Sequence, residues 1–323
     1  MKRLFSILLS LGCALCATAT NVVWQIGQAD HSAADLALGP SGYKQFLAHD
    51  FGYEDRYFLV GTSVPARDFP YVLPGPDDTW GGTWNTSGWR THDANILFGI
   101  DRLPQRGQWN LVVTLVDANP NRSMVKVVVN GTEKKFEIKG HSAEVLEGRT
   151  HDAKSQTLVL PLTAKDLRTG GNMATISVLE GGWIVFDQVR LEGTDGLKLK
   201  PSGGKAFLRR VQPSTYETLV DGHRVQPLLV DVEHLSGRPT LSVRLDGKEI
   251  FSSRLDSARY LYEVPMPAVT KSRKSQYQIY ADGQLLEKGT VTRSARQLCR
   301  WTAAGKGHRD AIGPTTVLAG RLC

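Results

Sequence analysis

The chain has 323 residues, a formal net charge of +7, 41% hydrophobic residues and 22% charged residues. This length allows one to three domains with their own cores, and the hydrophobic content excludes a wholly disordered chain. The positive charge lies at the two ends, with +2 from Lys2 and Arg3 and +5 from residues 293–323. The chain between them is neutral, so it lacks the basic surface that nucleic-acid binding needs.

Residues 1–19 indicate a cleaved secretory signal peptide. Lys2 and Arg3 precede a short apolar run from Leu4 to Leu11, and small residues then lead to an A-x-A pattern ending at Ala19. The apolar run is too short to span a bilayer, and no later stretch reaches about 18 apolar residues. We therefore expect a secreted or periplasmic protein with no membrane segment beyond the export signal.

Residues 22–193 carry the pattern of an antiparallel β-sandwich. Short runs of Val, Ile, Leu and aromatic residues alternate with turn residues such as Asn130-Gly131, and only Ser32–Leu38 and Thr163–Leu167 could form a turn of helix. Nine strands without βαβ alternation predict a jelly roll. The predicted strands are Val22–Ile26, Arg56–Val60, Asn95–Gly99, Asn110–Val116, Met124–Val129, Lys135–Ile138, Thr157–Leu162, Thr175–Leu179 and Trp183–Leu191.

A second series of strands follows a predicted linker at Leu197–Gly204. Tight turns are expected at Asp246-Gly247 and Asp282-Gly283. Residues 205–292 therefore predict a smaller immunoglobulin- or fibronectin-like sandwich, and the whole chain is predicted to be all-β. The strands of this series are Ala206–Val211, Pro227–Glu233, Thr240–Leu245, Tyr260–Val264, Gln276–Tyr280 and Leu285–Val291.

The pattern stops in the basic tail, residues 294–323. This segment is either a disordered tail or the product of a truncated or frameshifted gene that has lost a C-terminal catalytic domain. Cys299 and Cys323 lie here, whereas Cys13 and Cys16 leave with the signal peptide. A disulfide between the tail cysteines is compatible with export, but the spacing has no metal-binding signature.

The segment Ser63–Asn95 is the best candidate for a binding site, because a long proline-rich loop without regular structure is often functional. A sugar presents a C–H face and a rim of hydroxyl groups, so its site needs aromatic rings beside polar side chains. We predict that the rings come from three tryptophans and the hydroxyl contacts from three polar residues. These six are Trp80, Trp84, Trp89, Asp78, Asn85 and Arg90. The alternative is that this loop is a lid that packs its aromatic residues against the sandwich.

Other candidate residues point to no catalytic site. Asp30-His31 and His92-Asp93 resemble acid–base pairs, but neighbouring residues on a strand face opposite ways. Asp187 is expected to cap a turn or to pair with an arginine such as Arg190. The sequence has no phosphate-binding loop, nucleophile elbow or zinc-protease motif, and no catalytic residue can be assigned.

Three motifs resemble a known module. Val23–Asp30 resembles the W-x-I-G-x-x-D opening of the galactose-binding-like module of rhamnogalacturonan lyases. Trp183–Leu191 is similar to the closing strand of that module, in which an aspartate precedes V-R-L. Asp68–Pro76, followed by Trp80-Gly81-Gly82, is similar to versions at the N-terminus of large exported glycosidases, including α-mannosidase-like enzymes. The resemblance covers residues 22–193.

The resemblance implies a non-catalytic carbohydrate-binding region of an exported polysaccharide-degrading enzyme, joined to a fibronectin-like spacer. Its partner would be a polysaccharide or glycan. Modules of this type often carry a structural calcium ion, although its ligands are unknown here, and no other cofactor is expected.

Two alternatives to this function stay open. The first is a polysaccharide lyase or glycoside hydrolase, or a fragment of one, that acts on pectic or mannan-type glycans. The second is a purely structural scaffold for a lost catalytic domain. In the lyases a catalytic domain precedes the module, so their catalytic residues have no matching positions here.

Overall fold

The computed structural model describes residues 21–51, 56–82, 91–200, 204–256, 259–267 and 269–293. These residues form two β-sandwiches, which confirms the predicted all-β fold. The signal peptide and the basic tail, with all four cysteines, lie outside them. None of the helices among the described residues is long and apolar enough to cross a membrane.

The first sandwich packs two sheets face to face. One sheet has the order β1-β10-β5-β8, with β3 beside β10, and the other has the order β11-β4-β9-β6-β7, with β2 parallel to β4. The strands are β1 (Asn21–Gly27), β2 (Tyr57–Leu59), β3 (Val72–Leu73), β4 (Asp93–Arg102), β5 (Gln108–Ala118), β6 (Arg122–Val129), β7 (Thr132–Lys139), β8 (Gln156–Thr163), β9 (Gly170–Glu180), β10 (Ile184–Gly193) and β11 (Lys198–Lys200).

All nine predicted strands of the first sandwich are present, because alternation of apolar and polar residues marks strands with one buried face. In β6, for example, Val125, Val127 and Val129 are buried in the core between the sheets. The predicted turn at Asn130-Gly131 joins β6 to β7, and both residues have positive φ, 52° and 105°. The strands β3 and β11 were not predicted, because two or three residues are too few to show a period.

The helical segments of the first sandwich are short. They are α1 (Pro65–Asp68) and the 3-10 helices Tyr43–Gln45, Leu47–His49, Thr79–Gly81 and Ala143–Glu147. The predicted helical turns at Ser32–Leu38 and Thr163–Leu167 are wrong. Side chains close non-helical turns in both places: Ser32 Oγ accepts a hydrogen bond from Ala34 N, and Asp166 Oδ2 accepts one from Thr163 N at 2.7 Å.

The second sandwich has sheets of order β12-β14-β13, with β17 also paired to β14, and β16-β15-β18-β19. The predicted turns at Asp246-Gly247 and Asp282-Gly283 are present, each with two positive φ angles. The unpredicted strands are β13 and β16, which have few buried residues and therefore no clear apolar period. The strands are β12 (Ala206–Pro213), β13 (Thr218–Val220), β14 (His223–His234), β15 (Thr240–Leu245), β16 (Lys248–Arg254), β17 (Arg259–Pro267), β18 (Arg273–Ala281) and β19 (Gln284–Arg293).

The two sandwiches meet where β12 crosses the outer face of the β4–β9 sheet. Phe207 is buried there against Leu59 and Leu97. Tyr57 of the first sandwich donates a hydrogen bond to Glu233 of the second, with 2.9 Å between the oxygens. Part of the predicted linker, Lys198–Lys200, is instead the strand β11, which pairs with β4.

Candidate functional site

Several connections between strands meet at one end of the first sandwich, which we call the loop end. The strands β1 and β10 are antiparallel, and Gly27 at the end of β1 pairs with Gln188 near the start of β10. Residue 28, which follows β1, and the turn 181–183, which precedes β10, are therefore at the same end of the sheet. Residues 74–82 reach the same end, since an added Cβ at Gly75 would lie 2.3 Å from the carbonyl oxygen of Gly181. Only glycine allows this close approach of the two backbones.

Trp80 lies at the loop end and is half-buried. Its ring packs edge-on against Tyr43, with 5.1 Å between the ring centroids and an angle of 78° between the planes. A second edge contact joins it to the buried Phe46 at 6.1 Å. Tyr43 is also half-buried, the exposed Lys44 lies with its Nζ 5.6 Å from the centroid of the Tyr43 ring, and the exposed Asp77 precedes Trp80 by three residues. The loop end therefore presents two aromatic rings at its surface with charged groups nearby.

Asp78 holds the loop that carries Trp80. Its side chain is only 7% exposed, and its Oδ2 accepts a hydrogen bond from Gly75 N at 2.7 Å. The backbone N–H of Trp183 and the indole N–H of Trp80 also donate to this carboxyl group. Burial raises the pKa of Asp78 to about 7, and the neighbouring charge of Asp77 acts in the same direction. The carboxyl group therefore joins the loop to the β9–β10 turn and fixes the indole ring.

His92 closes the other side of the same loop. It is 2% exposed, and its Nε2 is hydrogen-bonded to the carbonyl oxygen of Gly81. Its ring also packs against Phe46, with 5.5 Å between centroids. The adjacent Asp93 accepts a hydrogen bond from Ser177 Oγ of the neighbouring strand β9. His92 precedes β4, which begins at Asp93, and it is buried rather than at the surface, so the strand argument applies to Asp93 alone.

The six predicted site residues divide into two groups. Trp80 and Asp78 lie together at the loop end, and the contacts of Trp80 with Tyr43 and Phe46 are those that the lid alternative describes. Trp84, Asn85, Trp89 and Arg90 lie outside the described residues, and their contacts with sugar stay a prediction. Tyr43 was missed, although its position three residues after Pro40 in a Gly- and Pro-containing stretch is a loop signal.

Asp187 has an unexpected environment in the strand β10. It is 1% exposed, and its Oδ1 accepts a hydrogen bond from Asp30 N at 3.2 Å, which fits the predicted capping role. The predicted pairing with Arg190 is wrong, because Arg190 contacts Glu192 at 2.7 Å instead. Burial raises the pKa of Asp187, and its Oδ2 has no hydrogen-bond partner among the described residues.

A second unpartnered carboxylate oxygen, Asp35 Oδ1, is buried in the same region. Burial raises the pKa of Asp35, and the charge of Asp30 raises the pKa of both Asp35 and Asp187. Across the described ranges no group of three or more His, Cys, Asp or Glu side chains has metal-binding geometry. A cation here would therefore need backbone carbonyl oxygens in addition to the carboxylates, a mixture that Ca²⁺ accepts.

The sequence model of one protein family, described as "CBM-like: Polysaccharide lyase family 4, domain III", matches residues 22–191, more than half of the chain. This match agrees with the resemblance seen in the opening and closing motifs. A search of curated proteins finds no match.

Solved structures with partial similarity include carbohydrate-binding modules and glycosidases. A family 35 carbohydrate binding module from an environmental isolate has 13% identity and a TM-score of 0.24, over 35% of this chain and 72% of that one. A GH2 β-galacturonidase from Eisenbergiella tayi has 12% identity and a TM-score of 0.22, over 65% and 37% of the two chains. A β-glucuronidase from an uncultured Clostridium sp. has 11% identity and a TM-score of 0.23, over 84% and 43%. The matches span less than half of either glycosidase, and these TM-scores support no inference about this chain.

Proposed function

We propose a carbohydrate-binding function because the chain belongs to the CBM-like family of polysaccharide lyase family 4, domain III, whose model matches residues 22–191. The proposed site is the loop end of the first sandwich. The ligand is a polysaccharide or glycan, and the chain is an accessory, non-catalytic region of an exported polysaccharide-degrading enzyme.

The observation that carries the proposal is the pair of half-buried rings at Trp80 and Tyr43. A ring that is held rigidly and partly exposed can stack on the C–H face of a sugar at low entropic cost. Lys44 and Asp77 supply charged groups for the hydroxyl rim. In this proposal Asp78 positions Trp80 and does not itself contact sugar, because internal donors surround its carboxyl group.

Trp84, Asn85, Trp89 and Arg90 complete the proposed site, since they follow Trp80 directly in the chain. The second sandwich acts as a spacer, and the export signal delivers the protein to the periplasm or the cell exterior. In this proposal Asp78 and His92 have a positioning role, in which they hold the loop through hydrogen bonds with Gly75 N and the carbonyl oxygen of Gly81.

The test is affinity electrophoresis of the purified protein in gels that contain pectic, mannan or other polysaccharides. The same samples are assayed for reducing and unsaturated sugar ends. Retardation by at least one polysaccharide without product formation is the expected result. Product formation would overturn the non-catalytic role and favour the lyase or hydrolase alternative, and absence of binding to every glycan would favour the scaffold alternative.

We also propose that a structural calcium ion binds near Asp187. The supporting observation is the unpartnered Oδ2 of this fully buried side chain. Asp187 and nearby backbone carbonyls would hold the ion, which would supply charge neutralisation and a fixed conformation of the residues after β1.

A further inference from the structure

A cleft of about 370 Å³ lies between the two sandwiches, away from the loop end. Its floor is the outer face of the first sandwich, where the half-buried Met173 and the buried Thr175 of β9 line the cleft. Arg209 and Arg210 of β12 form the opposite wall, and Arg168, from the β8–β9 connection, closes one side. The volume falls in the range of small-molecule sites, about 300–1,000 Å³.

The charges that line this cleft are predominantly positive. Three arginines face a single carboxylate, Asp231, among the described lining residues. Arg209 is paired with Glu233 across β12 and β14. The side chain of Arg210 is exposed and forms no hydrogen bond or ion pair within the ranges that the structure describes. The cleft therefore keeps an excess of positive charge after its internal pairs are counted.

Arg168 is the most informative of the three arginines. It is half-buried, and its Nη1 donates to the carbonyl oxygen of Arg209 at 2.7 Å while its Nη2 donates to that of Asn130 at 3.3 Å. These neutral acceptors fix the guanidinium, which has five N–H donors in total, and the charge of Asp231 offsets only part of the repulsion from the neighbouring arginines. Burial lowers its pKa, and the like charges of Arg210 and Arg209 add to this effect. An anion in the cleft would remove this repulsion.

The larger cleft at the same junction, about 640 Å³, has no such excess. Its arginines contact a carboxylate directly: Arg67 forms two hydrogen bonds with Asp68, at 2.8 and 2.9 Å, and Arg56 lies 3.9 Å from the same carboxyl group. The arginines of the larger cleft are thus paired with a carboxylate, whereas the smaller cleft keeps an unpaired positive charge.

We propose that the smaller cleft binds an oxyanion, and that its natural form is the carboxylate or sulfate group of an acidic saccharide. A guanidinium that is already oriented suits planar, two-point recognition of such a group. Met173 offers an apolar surface for a sugar ring. The excess of one positive charge matches a single anionic group better than a polyphosphate. The saccharide part of this proposal rests on the proposed function, whereas the oxyanion part does not.

The test is isothermal titration calorimetry of the full chain with D-glucuronate, D-glucose and sodium sulfate at low ionic strength. We expect glucuronate to bind more tightly than the other two probes, and added salt to weaken it. Arg210→Gln should weaken glucuronate binding at least about tenfold, because it removes a charge-assisted hydrogen bond. Arg106→Gln, at an exposed arginine of the β4–β5 turn, is the matched control and should change nothing.

Three outcomes would overturn the proposal. Glucuronate binding that Arg210→Gln leaves intact would place the anion elsewhere. If sulfate binds as tightly as glucuronate, the saccharide part of the proposal is wrong. If neither anion binds, the oxyanion part is wrong as well. Retardation of the Arg210→Gln variant by neutral polysaccharides reports separately on the loop end, so failure of one proposal is distinguishable from failure of the other.

Discussion

At the scale of single residues, Trp80 both packs against the sandwich and presents part of its ring at the surface. Part of its ring is packed against Tyr43 and Phe46, and the rest is exposed at the loop end. A fully exposed ring would lose rotamer freedom on binding sugar, whereas this one has already lost it on folding. The lid and the binding-site interpretations of the loop are therefore compatible in one side chain.

We predict that Trp80→Ala weakens polysaccharide binding by about 1–3 kcal/mol, because a rigid aromatic ring is a typical anchor of a binding site. Affinity electrophoresis measures the change, and the thermal midpoint of unfolding shows whether the sandwich stays intact. Tyr216→Ala is the control, since Tyr216 is an aromatic residue of the second sandwich that is 44% exposed. If the two variants bind the polysaccharide with equal affinity, Trp80 is not part of the binding site.

Asp187 provides the second prediction at this scale. Calcium should raise the midpoint of thermal unfolding by several degrees and EDTA should lower it, because a ligand that binds only the folded state stabilises it. Asp187→Asn should abolish the response to calcium, with Asp101→Asn at an exposed position as the control. A midpoint that is insensitive to calcium in the wild-type protein would refute the structural ion.

At the scale of elements, the longer strands and their tight turns could be predicted from the sequence, but the contacts that build the loop end could not. Alternation in β6 and β15 shows the buried face directly, and Asn130-Gly131 and Asp246-Gly247 mark their turns. The loop end depends on contacts between distant residues, such as the hydrogen bond from Asp30 to Asp187, which are 157 positions apart. No local pattern reports such a contact, so the sequence suggested Trp80 as a site residue but not its neighbour Tyr43.

The attachment of residues 74–82 should depend on pH through Asp78. Its pKa is about 7 in the folded protein against 3.8 for an ordinary aspartate, so between these values the folded state binds more protons than the unfolded state. The free energy of unfolding therefore falls as pH rises from about 4 to about 7, by at most about 4 kcal/mol. Asp78→Asn should lack this contribution.

Urea unfolding of both proteins at several pH values between 4 and 7 measures the difference. The wild-type protein should lose stability relative to the variant as pH rises. Other buried acids such as Asp187 are present in both proteins, so their contributions cancel in this difference. Parallel profiles would mean that Asp78 is not protonated in the folded protein.

At the scale of the whole molecule, Phe207 couples the two sandwiches. It is 5% exposed, and it packs against Leu59 and Leu97 of the first sandwich. Phe207→Ala should cost about 3–5 kcal/mol, as for other buried Phe side chains, and should separate unfolding into two transitions in differential scanning calorimetry. Leu261→Ala, at a residue that is 57% exposed on the second sandwich, is the control. An unchanged single transition would show that the junction contributes little.

The strand β11 has a mechanical consequence. It joins the sheet of the first sandwich through three residue pairs with β4 and leads directly toward the second sandwich. If the loop end is held by a polymer and the C-terminal side is pulled, the same tension acts on both sandwiches, on this short ladder and on the neighbouring Phe207 contact, and the ladder has only three residue pairs to resist it. The ladder would yield first and lengthen the tether by only a few residues, so each sandwich keeps its fold under a load that has already released their mutual orientation.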